Sequence, residues 1–145
     1  LTMFNEELIE KPIDETANQE NGQAVMKKVL IADDSRFMRS WLTRILKQYG
    51  YHDIYEAIDG GEAIKQFKQI RPDVVFLDIT MPRIGGLAAL EEIIAIDPMA
   101  KVIMCSAMST ESNVVEAIKL GASYFVAKPN FEQLESVLKK LESNT

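Results

Sequence analysis

The chain has 145 residues, 47% hydrophobic and 26% charged, with a net charge of −6 and a single cysteine. That length suffices for one well-filled domain and is tight for two. Acidity without a basic tract argues against a grip on nucleic acid, Cys105 alone excludes an internal disulfide framework, and no apolar run reaches membrane-span length.

Residues 1–26 read as a first unit. They are rich in Glu, Asp, Asn and Gln, and lack the basic start and apolar middle of a secretory signal. The composition predicts a mobile acidic arm. Within it, Met3, Phe4, Leu8 and Ile9 could form a short patch that docks on a partner. The cytoplasm, where a lone thiol stays reduced, is the expected compartment.

From Lys27 to Thr145 the pattern changes to short apolar runs alternating with helical periodicity. The runs are "VLIAD" (29–33), "DIYEA" (53–57), "VVFLD" (74–78), "KVIMCSA" (101–107) and "SYFVAK" (123–128). Continuous short apolar runs suit parallel strands buried on both faces. After the first comes a helix over 35–49, with Phe37, Met38, Trp41, Leu42, Ile45 and Tyr49 on one stripe and a stop at Gly50. The helix at 60–70 uses Ala63, Ile64, Phe67 and Ile70 and ends before Pro72. The helix at 87–96 uses Leu87, Leu90, Ile93 and Ile94; that at 110–120 uses Val114, Val115 and Ile118 and stops at Gly121. The last, 131–141, offers Phe131, Leu134, Val137, Leu138 and Leu141. Five βα units with right-handed crossovers predict an α/β fold, a doubly wound open sheet with helices on both faces.

In such a sheet, ligands bind outside the carboxyl ends of the strands. The sequence places Asp33 and Asp34 at the first of these ends, Asp78 followed by "ITMP" at the third, Ser106 at the fourth, and Lys128 followed by Pro129 at the fifth. Three carboxylates against one ammonium leave a surplus of negative charge. At an effective dielectric near 20, an acid pair ~4 Å apart costs roughly 4 kcal/mol. Either one acid stays protonated or a divalent cation enters. A small set of hard oxygen ligands suits Mg²⁺ better than Ca²⁺, and no Cys/His cluster exists for zinc. Taken singly, each residue has an ordinary structural use: Asp34 or Ser35 can cap a helix, Asp78 can form a turn, and Ser106 and Lys128 can be solvated. Cys105 and Trp41 read as core, and His52 as a surface residue without a role.

"VLIADDSRFMR", "VVFLDITMP", "VIMCSAM" and "GASYFVAKP" together resemble the receiver domain of bacterial two-component response regulators, over roughly residues 27–141. The separations fit as well: Asp34 to Asp78, then Ser106, then Lys128. The resemblance implies a five-stranded CheY-like sheet of order 2-1-3-4-5 with five helices. It implies that Asp78 accepts a phosphoryl group from a phosphohistidine on a sensor histidine kinase or histidine phosphotransfer protein. Mg²⁺ would be held by Asp34, Asp78 and the Thr80 carbonyl, with Asp33 acting through a water. Ser106 and Lys128 would meet the phosphoryl oxygens, and the Lys128–Pro129 bond would be cis. Switching would couple Ser106 to Phe125, which stands where relatives often carry tyrosine, and would remodel the surface of the fourth helix, fifth strand and fifth helix for a downstream protein. The family are signalling domains rather than enzymes acting on a separate substrate.

Two departures stand out. The loop after Pro82 reads "RIGG", where relatives commonly carry an acid or amide before the second glycine, and Gly85 is expected to loosen that turn without touching the phosphoryl site. Met108, two residues beyond Ser106, cannot hydrogen-bond a hydrolytic water, so the phosphorylated form is expected to decay slowly. A haloacid-dehalogenase-type hydrolase would need a second acid where Thr80 stands. A flavin-binding protein would need a phosphate cradle where the two acids repel phosphate. A constitutive dimerisation scaffold would not need the whole set. No DNA-binding segment follows Thr145, which suggests a stand-alone regulator; the competing reading is a receiver excised from a larger transcriptional or enzymatic regulator.

Overall fold

The computed structural model describes residues 27–143; the acidic arm expected over residues 1–26 lies outside them. Five strands and five helices alternate: β1 (Lys28–Ala32), α1 (Arg36–Gln48), β2 (Asp53–Ala57), α2 (Gly60–Ile70), β3 (Val74–Leu77), α3 (Gly86–Ile96), β4 (Val102–Ser106), α4 (Glu111–Lys119), β5 (Tyr124–Ala127) and α5 (Phe131–Ser143). All neighbouring strands pair in parallel, and the sheet order is β2-β1-β3-β4-β5, as the resemblance implies.

Alternation along each strand feeds two apolar layers. Val29 and Ile31 of β1 join Phe76, Ile103, Cys105 and Val126 beneath α1 and α5, while Leu30 joins Val75, Leu77 and Met104 beneath α2, α3 and α4. Tyr124 packs in the first layer and Phe125 in the second, so the two neighbours point to opposite faces as alternation requires. Cys105 is buried, Trp41 packs at a layer's edge, and His52 is exposed.

Caps follow from local chemistry. Ser35 caps α1 by accepting from the Met38 N–H, Asp59 caps α2 through the Glu62 N–H, and Thr110 caps α4 through the Asn113 N–H. Helix α3 starts at Gly85 with no side-chain cap.

Three helical faces differ from the periodic reading. Phe37 is 72% exposed; α1 buries Leu42 and Ile45 of the expected stripe together with Leu46, which the stripe left out. In α4, Val115 and Ile118 are about half exposed and Ala117 is the buried residue. Phe131 is 45% exposed, while Leu134, Val137, Leu138 and Leu141 carry the α5 face. In each case several apolar residues crowd a short helix, and 3.6-residue periodicity alone leaves the choice of face open.

Candidate functional site

The chain direction of a parallel sheet carries the end of every strand to one rim. Here the ladder continues one residue past β1, β3 and β5 and fixes the functional backbones. The Asp33 N–H donates to the Ala57 carbonyl at 3.0 Å, the Asp78 N–H to the Ala32 carbonyl at 3.0 Å, and the Lys128 N–H to the Ser106 carbonyl at 3.0 Å. Side chains from β1, β3 and β5 therefore leave the sheet at defined points around one pocket.

The three acids converge as expected. Asp33, Asp34 and Asp78 each offer a carboxylate oxygen within 4.8 Å of the others; Asp33 and Asp78 are buried and Asp34 is exposed. Lys128 reaches across the rim to Asp33 Oδ2 at 2.6 Å and to Asp78 Oδ2 at 3.5 Å, with side-chain exposures of 8%, 2% and 7% for Lys128, Asp33 and Asp78. The solvated reading of Lys128 therefore fails. The other Asp33 oxygen accepts the Ser35 N–H at 2.8 Å. The Lys128–Pro129 peptide bond is cis.

Electrostatics sharpens the division of labour. Burial pushes the Asp78 carboxyl above its ordinary range, and the nearby Asp33 charge adds to this; Lys128 and the Thr80 N–H pull the other way without winning. Burial alone would lower the Lys128 ammonium, but Asp33 and Asp78 outweigh it, so it is held above its ordinary value and charged. Burial pushes the Cys105 thiol up to about 12, which leaves it an inert core group.

Ser106 is fully buried at the end of β4, and its Oγ accepts the Met108 N–H at 3.0 Å. Met108 is 53% exposed, and Thr80 is also exposed. Phe125 is partly buried against the second layer.

Several supporting residues escape sequence reading. Arg39, one turn into α1, donates from Nη1 to the Asp33 carbonyl at 2.8 Å and from Nε to Glu56 Oε1 at 2.6 Å. Gln133 accepts the Ala127 N–H at 2.7 Å and so fixes the residue before Lys128. Gly86 matters more than Gly85: a Cβ on Gly86 would collide with the Asp78 carbonyl oxygen, whereas one on Gly85 would lie 3.3 Å from the Ile79 oxygen. The doubled glycine is the signal available in the sequence; its reason is a long-range contact.

Oxygen-only ligands, one exposed and two buried, with a single ammonium between them, fit a small hard dication. A model of the response regulator receiver domain matches residues 29–139. The chain belongs to the response regulator receiver domain family. This receiver domain is 50% identical over 117 residues to the chemotaxis protein CheY of Listeria monocytogenes, covering 81% of the chain and 97% of that protein. It is 48% identical over 108 residues to the protein CcdB of Bacillus subtilis, covering 74% of the chain and 89% of the relative. Among solved structures, CheY in the CheX–CheY–BeF3–Mg²⁺ complex of Borrelia burgdorferi matches with a TM-score of 0.74 at 39% identity, covering 81% of the receiver chain and 87% of its counterpart. The receiver part of Thermotoga maritima CheB matches at 0.71 and 34%, covering 81% and 95%. Among the described residues, no helix is long and apolar enough to cross a membrane.

Proposed function

We propose that the chain is a phospho-accepting switch in which Asp78 takes a phosphoryl group from a phosphohistidine of a sensor histidine kinase or histidine phosphotransfer protein. The observation that carries this reading is the pocket itself: three carboxylates within 4.8 Å, bridged on one side by a buried lysine. An Asp78 oxygen attacks phosphorus in line as the donor's N–P bond breaks and its electron pair returns to the imidazole. Mg²⁺, when bound, would neutralise charge on the phosphoryl oxygens; Asp34, Asp78 and the Thr80 carbonyl would hold it, with Asp33 behind a water.

The chain's own groups do the rest. Lys128, already charged and 3.5 Å from Asp78, pairs with an incoming phosphoryl oxygen. Ser106 donates a hydrogen bond from its hydroxyl to another phosphoryl oxygen, its Oγ accepting the Met108 N–H in the resting state. Ser106 moving toward the phosphoryl group leaves room beside β5 for Phe125 to swing, which remodels the α4–β5–α5 surface for a downstream protein. With a thioether at Met108 where a hydrolytic water passes, the acyl phosphate decays slowly. The chain thus acts as a signalling domain in the cytoplasm rather than as an enzyme turning over a separate substrate.

The test is direct. The protein is incubated with acetyl phosphate, with and without Mg²⁺, and added mass is located by mass spectrometry. A Mg²⁺-dependent adduct on Asp78, absent in Asp78→Asn, supports the reading; an adduct that persists in Asp78→Asn overturns it.

A further inference from the structure

We infer that Asp59 and Arg83 form a latch that holds the loop after the phosphoacceptor in its cation-binding shape; this rests on the function proposed above and makes both of them positioning residues. The loop runs over residues 79–85, between β3 and α3, and it carries Thr80, whose carbonyl is the assigned backbone ligand. Ile79 and the buried Met81 pack on the second apolar layer, whereas the outer stretch is solvent-facing: Pro82, Arg83 and Ile84 are exposed, as is Thr80. Apolar packing therefore anchors the loop on either side of Thr80 but does little to hold residues 82–84.

What holds that outer stretch is polar, and it comes from the β2–α2 turn. Arg83, in the left-handed region at φ 64°, donates from Nε to Asp59 Oδ2 at 3.0 Å, and its Nη2 donates to the same oxygen. Among the described residues this is the one ion pair the loop makes. Asp59 is itself fixed, 8% exposed, with Oδ1 accepting the Glu62 N–H at 2.8 Å as the α2 cap. The same turn donates the Gly60 N–H to the Ile84 carbonyl at 3.0 Å, and a Cβ on Gly60 would collide with that oxygen. The far end of the loop closes by the Gly86 N–H donating to the Ile79 carbonyl at 2.8 Å, with Gly86 pressed against the Asp78 carbonyl. Thr80 thus lies between a fixed strand end and a latched mid-loop. Releasing Arg83 leaves the stretch between the buried Met81 and the Ile84 carbonyl without its side-chain tether, and the strain on Met81 passes to Thr80 beside it.

The latch can be separated from through-space electrostatics by sign. Arg83→Ala removes a positive charge near an acidic pocket, so electrostatics alone would tighten Mg²⁺ binding; Asp59→Asn removes a negative charge and would loosen it. A latch predicts that both loosen it. Asp59→Asn keeps a side-chain oxygen for the α2 cap, which guards against simple unfolding.

The experiment is a calorimetric Mg²⁺ titration of the parent, Arg83→Ala, Asp59→Asn, the double variant and Arg83→Lys. Outer-shell partners of metal ligands commonly affect affinity 10–100-fold, and a tether one step further out should cost roughly threefold to tenfold. Both single variants should weaken by a similar factor, the double no further, and Arg83→Lys should recover part of the loss. At saturating Mg²⁺, labelling of Asp78 by acetyl phosphate should return to the parent rate. Tighter or unchanged binding in Arg83→Ala, or additive losses in the double variant, overturns the latch while leaving the proposed function standing. A parent that neither binds Mg²⁺ nor is labelled at Asp78 overturns the proposed function, and the latch with it.

Discussion

The carboxyl rim of the sheet and the two apolar layers below it follow opposite rules. The buried polar and charged side chains among the described residues, Asp33, Asp59, Asp78 and Ser106, all sit on the rim, and the layers consist of apolar groups and one inert cysteine. Burying polar groups is costly unless they are partnered. Asp33 and Asp59 have full sets of partners, but Asp78 lies 3.5 Å from its ammonium, and burial pushes its carboxyl up. The layers stabilise the fold so that the rim can hold charges in an arrangement that is poor for stability and suited to an incoming cation and phosphoryl group.

If that division is right, truncations in the layers should always destabilise, while substitutions on the rim should go either way according to which charge they remove. Phe67, on α2 and 1% exposed in the second layer, should show the largest effect: Phe67→Ala leaves a cavity and should cost about 3–5 kcal/mol in urea unfolding. A loss below about 1 kcal/mol would mean that the layer collapses around the gap and is less tightly packed than its burial implies.

Next in size is Lys128→Met. It leaves Asp33 and Asp78 buried without their ammonium. Removing one partner of a fully buried pair costs roughly 3–5 kcal/mol; here Asp78 can take up a proton, so a loss of about 2 kcal/mol is expected in chelator. Millimolar Mg²⁺ should recover more stability in the variant than in the parent, because the dication then faces no competing ammonium. Equal recovery in both would show that the lysine and the cation do not share Asp33.

Asp78→Asn should go the other way. The native carboxyl has its pKa raised, so the folded state holds its proton more tightly than the unfolded chain does. Asp78 therefore favours folding at low pH, and that contribution is lost as pH rises through the folded-state value. A neutral amide removes the penalty at neutral pH. Without metal, Asp78→Asn should melt a few degrees above the parent at pH 7, with a smaller gap near pH 4. A variant less stable than the parent at pH 7 would show that the Lys128 attraction outweighs desolvation and that folding does not raise the Asp78 carboxyl.

The sequence made the rim legible because its chemistry lies at strand ends, and strand ends are marked by where apolar runs stop. Asp33, Asp34, Asp78, Ser106 and Lys128 could all be placed that way, and the sheet order followed from the family resemblance. What stayed hidden depends on contacts between distant segments. Arg39 looks like a solvent-facing helical charge until the Asp33 carbonyl lies 2.8 Å away. Arg83 and Asp59 are 24 residues apart, and nothing local pairs them. Phe37, Val115, Ile118 and Phe131 were misplaced for a different reason. Each helix carries more apolar residues than its buried face can hold, and tertiary packing selects among them.

The smallest effect concerns the one departure from the family pattern inside the functional loop. Helices α1, α2 and α4 each begin with a side-chain oxygen accepting a backbone N–H, whereas α3 begins at Gly85 with none. Gly85 has φ −77° and ψ 174°, values open to any residue, so glycine is not needed there for its backbone freedom. Serine would supply a cap and reduce the entropy of the unfolded chain, together about 0.5–1 kcal/mol. Against this, a Cβ would stand 3.3 Å from the Ile79 oxygen, tight enough that the loop must yield by a few tenths of an ångström. Because residues 82–84 are exposed and Ile79 is only partly buried, the loop can yield, and Gly85→Ser should raise the urea midpoint slightly. A lower midpoint would mean that this stretch is as rigid as the rim it adjoins, extending the rim's rules to the first turn of α3.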